Sequence, residues 1–323
     1  MKAGILGTGL AAMGLAALLS GCAHLYQACN EVLVREPGTR TYDDSQGKPV
    51  KAWAQEMWEV AAFSEVVYTR NWDREGCTAK KDAVGREPED WKKWRTFPSS
   101  SLVDAACDEG LYFEVWQSAS APQRVVVAFR GTDFTSLKDW KANLRWFRRF
   151  VPFIEDQYTV VSRRLSVEFR RELVRRIQSG ETESDAVVTA TGHSLGGGLA
   201  QHFAYSYRVP GDPDVTVARD FPRISTMTVF DPSPVTGWTS LPWKTRGRNA
   251  EGLTIDRVFE HGEVLSYVRL LTSLASPPSE RDPAIREIRF NFDPSVNFIE
   301  NHSMNILADG LQKAASGQGD CSR

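Results

Sequence analysis

The 323 residues carry 41% hydrophobic and 25% charged side chains with a formal net charge of −2, an ordinary balance for a globular protein with a substantial core. That near-neutral charge, together with the lack of any basic strip interleaved with aromatic residues, argues against a nucleic-acid partner. In chain order, Lys2 is followed by an apolar run from Ala3 to Leu19, short for a spanning helix and open to reading as an uncleaved anchor or a signal peptide, and then by Ser20-Gly21-Cys22. Residues 23–50 are polar, with Pro37-Gly38 and Asp43-Asp44-Ser45-Gln46-Gly47, and read as a tether with little structure. Trp53, Met57, Trp58, Ala61, Ala62 and Val66 recur at helical spacing and predict a helix over 51–68. Residues 70–100 hold Trp72, Trp91 and Trp94 among many charges and no periodicity assigns them. Strands are expected at 111–117 and 123–129, the second an unbroken apolar run suited to the middle of a sheet. Val161, Leu165, Phe169, Leu173 and Ile177 mark an amphipathic helix over 159–177. A strand at 186–191, a helix from 196 to 208, strands at 224–230 and 253–259 and a closing helix over 303–315 complete the pattern. Strands alternating with helices predict an α/β fold with a mostly parallel central sheet covered by helices on both faces, in one domain over 51–323.

The most informative feature is Gly192-His193-Ser194-Leu195-Gly196, between an apolar strand and an apolar helix. Gly-x-Ser-x-Gly arises by chance in about one chain in ten of this length. The strand before it and the helix after it are the context a nucleophile elbow requires, a tight turn that projects a serine hydroxyl into a cleft. A serine needs a base, and the base needs an acid to orient it. Of five histidines, His24 lies in the tether, His193 adjoins Ser194 with its side chain leaving the turn in another direction, and His202 sits inside the following helix. His261 remains open, and His302, just before the last helix, is the best candidate. The acid should lie between them in sequence: Glu263 or Asp231, with Glu260 and Asp256 as further possibilities. The backbone N–H of Leu195, at a helix start, would supply one donor to an oxyanion.

Phe129-Arg130-Gly131-Thr132, Asp139-Trp140, Gly192 to Gly197, Arg257 to Val264 and Asn301-His302 fall in an order and spacing that resemble the class 3 lipase family, the fungal-lipase-like α/β hydrolases, over residues 52–315. The resemblance implies an α/β-hydrolase fold, the acid at Glu263 where the family carries an aspartate, and a second oxyanion donor at Thr132. It also implies a lid around Trp146 to Phe153. Residues 141–176 hold ten Lys or Arg against four acids, a candidate surface for anionic head groups. The insert Pro232 to Gly252, with Trp238 and Trp243, is either a wall of an acyl pocket or a surface loop.

The first 22 residues resemble a bacterial lipoprotein signal, which implies removal of residues 1–21, lipidation of Cys22 and a lipidated tether over 22–50. Ala23 in place of an aspartate favours the outer membrane by the same resemblance. Cys29, Cys77, Cys107 and Cys321 then remain, an even number that predicts two disulfides with three possible pairings. These readings converge on a serine ester hydrolase of Ser194, Glu263 and His302, acting on an ester or lipid and needing no metal or organic cofactor. Acyl transfer or thioester hydrolysis would use the same residues, and a non-catalytic binding lipoprotein is the alternative from another class.

Overall fold

Val125-Val126-Val127-Ala128-Phe129 is apolar at every position because both faces of its strand are covered. In β5 (Arg124–Phe129), Val125, Val127 and Phe129 enter one core, and Val126 and Ala128 enter another. The computed structural model describes residues 27–29, 31–44, 47–74, 77, 87–120, 123–131, 156–208, 221–263, 279–293 and 300–318. Before β5 come β1 (Val32–Arg35), β2 (Asp43–Asp44), α1 (Val50–Val66), β3 (Trp91–Lys93), α2 (Ser100–Asp108) and β4 (Phe113–Ser118). After it come α3 (Gln157–Val160), a π-helical turn (Val161–Leu165), α4 (Ser166–Gln178), β6 (Val187–Gly192) and α5 (Leu195–Ser206). The chain continues through β7 (Thr226–Phe230), α6 (Trp243–Ala250), β8 (Thr254–Glu260), β9 (Ala284–Phe290) and α7 (Met304–Ser316).

The molecule is α/β, but its sheets are mixed. One has the order β2-β1-β9-β8-β7 and the other β3-β4-β5-β6. Among the described residues, β5–β6, β7–β8 and β8–β9 pair in parallel, whereas β1–β2, β1–β9, β3–β4 and β4–β5 are antiparallel. The α/β class is the expected one, with parallel pairings at the centre and antiparallel ones at the edges. The link from β4 to β5 is too short for a parallel crossover, which needs a dozen or more residues. Where the sheets meet, β6 lies beside β7. The Thr189 and Thr191 hydroxyls each donate to a β7 carbonyl at 2.8 Å, on Thr226 and Thr228, and His193 forms a parallel bridge with Phe230.

Helices cover both faces. Trp53, Met57 and Ala61 of α1 pack with Leu307 and Leu311 of α7 over Phe230, Val258 and Ile288. On the other face Leu102 of α2, Phe169 of α4 and Phe203 of α5 enclose Val188, Val229 and Ile255. Each such buried side chain contributes about 1.5–3 kcal/mol.

The segment read as a tether joins the sheet instead. Val32, Val34 and Arg35 are buried, and Arg35 pairs with buried Glu287, which also accepts the Tyr42 hydroxyl at 2.7 Å. The strand escaped notice because it is four residues long and ends in a charge that is neutralised only across the sheet. Cys77 and Cys107 form a disulfide, and Cys29 is also disulfide-bonded.

Candidate active site

The turn that carries Ser194 is held open by its neighbours. Ser194 has φ 56° and ψ −124°, a conformation that L-residues rarely adopt and that persists only where surrounding contacts impose it. Those contacts are backbone bonds: Ser194 N–H donates to Phe230 at 3.0 Å, and its carbonyl accepts from Ser233 at 2.9 Å and Gly197 at 3.0 Å. The flanking glycines are required by close approach. A Cβ at Gly192 would lie 2.5 Å from the Gly196 carbonyl, and one at Gly196 would run into the carbonyl of Phe129. The end of β5 therefore presses against the start of α5, beside Ser194. Leu195 opens that helix, and its N–H is among those that a helix cannot satisfy internally.

Three sequence-predicted residues meet at this point. His302 Nε2 lies 3.0 Å from Ser194 Oγ, and His302 Nδ1 lies 2.9 Å from Glu263 Oε2. Their exposures are 2% for Ser194, 5% for His302 and 0% for Glu263, so the series is desolvated. Each comes from a different part of the sheet. Glu263 follows β8 after a turn in which Gly262 takes φ 73°. His302 ends the short 3-10 turn Glu300–His302 before α7. Asn301 ties the two loops together, its side-chain amide donating to the His261 carbonyl at 3.1 Å.

The other candidate carboxylates stand outside that hydrogen-bonded series. Asp256 is bound by Arg286 through two 2.8 Å contacts in mid-sheet. Glu260 is buried, with Oε1 accepting from the N–H groups of Phe292 at 2.7 Å and Asp293 at 3.0 Å. Burial pushes its carboxyl well above the usual range, with Asp231 and Asp293 adding to the rise. Asp231 follows β7 at φ 39°, fully buried, and its Oδ1 accepts the Glu260 N–H at 3.2 Å.

Among the histidines, His202 packs edge-on against Tyr158 at 5.1 Å, with Nδ1 3.2 Å from the Thr236 carbonyl. His261 sits in the turn after β8, its N–H on the Phe290 carbonyl at 2.8 Å. His193 does not leave the site. Its ring lies 4.8 Å from that of His302, because β6 and β7 close over it and turn it inward. Sequence reading missed this residue and its partner Tyr68, whose hydroxyl is 2.9 Å from His193 Nδ1. No signal in the chain could have paired positions so far apart.

Thr132, Cys22, His24, Cys321 and the segment 146–153 lie outside the described residues. Much of the described basic stretch is committed internally. Arg170 is buried against the Ser166 and Tyr207 carbonyls, and Arg175 and Arg176 pair with Glu172 and Glu181, while Arg163 and Arg164 are exposed. In the insert, Trp238 packs on Tyr205 at 4.7 Å but Trp243 is 70% exposed, so it walls no pocket among the described residues.

With that geometry in place, residues 59–213 match the family model of the Tle-like phospholipase domain, described as phospholipase-like. The matched stretch contains β5, the elbow with Ser194 and α5, and it ends before Asp231, Glu263 and His302. The match supports a hydrolase of the lipase or phospholipase kind, with a lipid as substrate. A comparison with curated proteins found no match.

Proposed function

We propose that this chain is a serine carboxylic ester hydrolase of α/β-hydrolase type that cleaves acyl esters of lipids, phospholipids foremost, through an acyl-enzyme on Ser194. The observation that carries the reading is the buried series Ser194 Oγ, His302 Nε2 at 3.0 Å, and His302 Nδ1 to Glu263 at 2.9 Å. Ser194 Oγ attacks the ester carbonyl while His302 Nε2 takes its proton. The proton is then returned to the departing alcohol, and water resolves the acyl-enzyme by the same steps in reverse roles. Glu263 holds the imidazole in the tautomer with Nδ1 protonated and balances the charge that forms. Leu195 N–H, aided by the positive end of α5, and Thr132 stabilise the oxyanion, each such donor contributing about 3–4 kcal/mol to the transition state. The phospholipase-like match favours phospholipids over short soluble esters. The same reading places the enzyme at the cell envelope, tethered through a lipidated Cys22.

A fluorophosphonate should label the wild-type protein and fail on Ser194→Ala. Phospholipid vesicles should release fatty acid with the first and not with the second. Absence of labelling in correctly folded wild-type protein would overturn the proposal in favour of a binding protein that uses the same fold.

A further inference from the structure

Asp231 has no part in the hydrogen-bonded series just described, yet it is built at a cost. It is a non-glycine residue at φ 39°, fully buried, in a conformation that the surrounding structure must impose. Its carboxylate stands beside two imidazoles: a nitrogen of His193, a nitrogen of His302 and an oxygen of Asp231 all lie within 4.8 Å of one another. His193 Nε2 is 3.8 Å from Asp231 Oδ2, and on its far side Nδ1 meets the Tyr68 hydroxyl at 2.9 Å. The approach to Asp231 suits the tautomer with the proton on Nε2, in which the Tyr68 hydroxyl can donate to Nδ1. Burial and the nearby His302 hold His193 well below its usual pKa, so it stands there as a neutral dipole rather than a second cation. Glu260 adjoins it, with its N–H donating to Asp231 Oδ1 at 3.2 Å, and burial pushes the Glu260 carboxyl above the usual range.

We propose that Asp231, braced by His193 and Tyr68, is a positioning residue that acts through His302: a second carboxylate, besides Glu263, that orients the imidazole and stabilises its protonated form. The inference rests on the reading of Ser194 as nucleophile. In the step concerned, the Ser194 O–H bond breaks as the Oγ–carbon bond forms, and the proton passes to His302 Nε2. An anion beside that imidazolium lowers the barrier in the same direction as Glu263 does. Among the described residues, the groups that face His302 are Ser194 and His193 from the elbow, Asp231 after β7 with Glu260 next to it, and Glu263 after β8.

The rate of fluorophosphonate labelling of the full chain, measured from pH 5 to 9, tests this without knowledge of the natural lipid. Asp231→Asn should slow labelling by about 10- to 100-fold, the range found when outer partners of an active group are removed. Its acid limb should also move to lower pH by about one unit, because loss of a nearby anion makes His302 easier to deprotonate. Asp231→Gly removes the carboxylate and relieves the positive φ. It also removes the acceptor of the Glu260 N–H, so it should fold with a lower melting temperature than wild type while showing the same slow rate and shifted limb. Wild-type rates in either variant, slow rates with an unmoved limb, or loss of folding in both would each overturn the proposal, the last two by assigning Asp231 to packing. A wild-type protein that is not labelled at all would instead sink the reading of Ser194.

Discussion

At Glu263 a glutamate, reached through a glycine turn after β8, stands behind the imidazole of His302. Gly262 at φ 73° swings that turn so that Oε2 arrives 2.9 Å from His302 Nδ1. Glu263→Gln keeps the shape and removes the charge, and Gln can present its amide to Nδ1 in the wrong sense. We expect ester hydrolysis to fall by about 10²- to 10⁴-fold in kcat with KM little changed. Glu263→Asp withdraws the carboxylate by about 1.5 Å, one carbon–carbon bond, and should fall between wild type and Gln. Full activity in the Gln variant would move the orienting role to Asp231. Ser194 and His302 were legible because glycine spacing and chain order carry them. The contact between His193 and Asp231 was not, since it exists only because β6 and β7 lie side by side.

The elements that sequence periodicity predicts are those whose burial is one-sided or complete: α1, β5, the helical stretch from α3 to α4, and α5 fall within a few residues of their expected bounds. Those it missed break the pattern with charges. In β9, Arg286 binds Asp256, Glu287 meets Arg35, and Arg289 donates to Gln27 Oε1 at 2.8 Å, so a strand that sits inside the sheet reads as polar. Likewise α2 is short and announced only by its Ser99 cap, which accepts the Leu102 N–H at 3.3 Å. That helix is tied down covalently, through the disulfide from Cys107 to Cys77, 30 residues earlier. Closing a loop of that length in the unfolded chain contributes about 3–4 kcal/mol in the chain-entropy picture. The double variant Cys77→Ser with Cys107→Ser should therefore unfold at clearly lower denaturant concentration, with hydrolytic activity at low temperature retained because neither residue touches Ser194. An unchanged midpoint would mean that the chain around Cys77 is equally constrained without the bond.

Over the whole molecule, the site depends on three loops leaving neighbouring strands β7, β8 and β9 at the same end of the sheet, and Glu260 is where those exits are joined. It closes β8, donates its N–H to Asp231 after β7, and receives the N–H groups of Phe292 and Asp293 after β9. Burial first, and then the neighbouring Asp231 and Asp293, hold its carboxyl well above the usual carboxylate range. A carboxyl whose pKa is higher folded than unfolded binds its proton more tightly in the native state. Its contribution to stability is therefore fully present below the unfolded value and is lost as pH rises toward the folded one, by about 1.4 kcal/mol for each unit of difference. Both backbone donors end on the same oxygen, Oε1, so Glu260→Gln can keep them and removes only the ionisation. The Gln variant should match wild type near pH 4 and become progressively more stable than wild type as pH rises above about 4.5, levelling off once the native carboxyl has ionised. Thermal or denaturant midpoints across pH 4 to 9 give the comparison. A wild type that gains on the Gln variant with rising pH would show that Glu260 is held as a stabilised anion, and the junction of the three loops would then rest on charge rather than on a buried neutral acid.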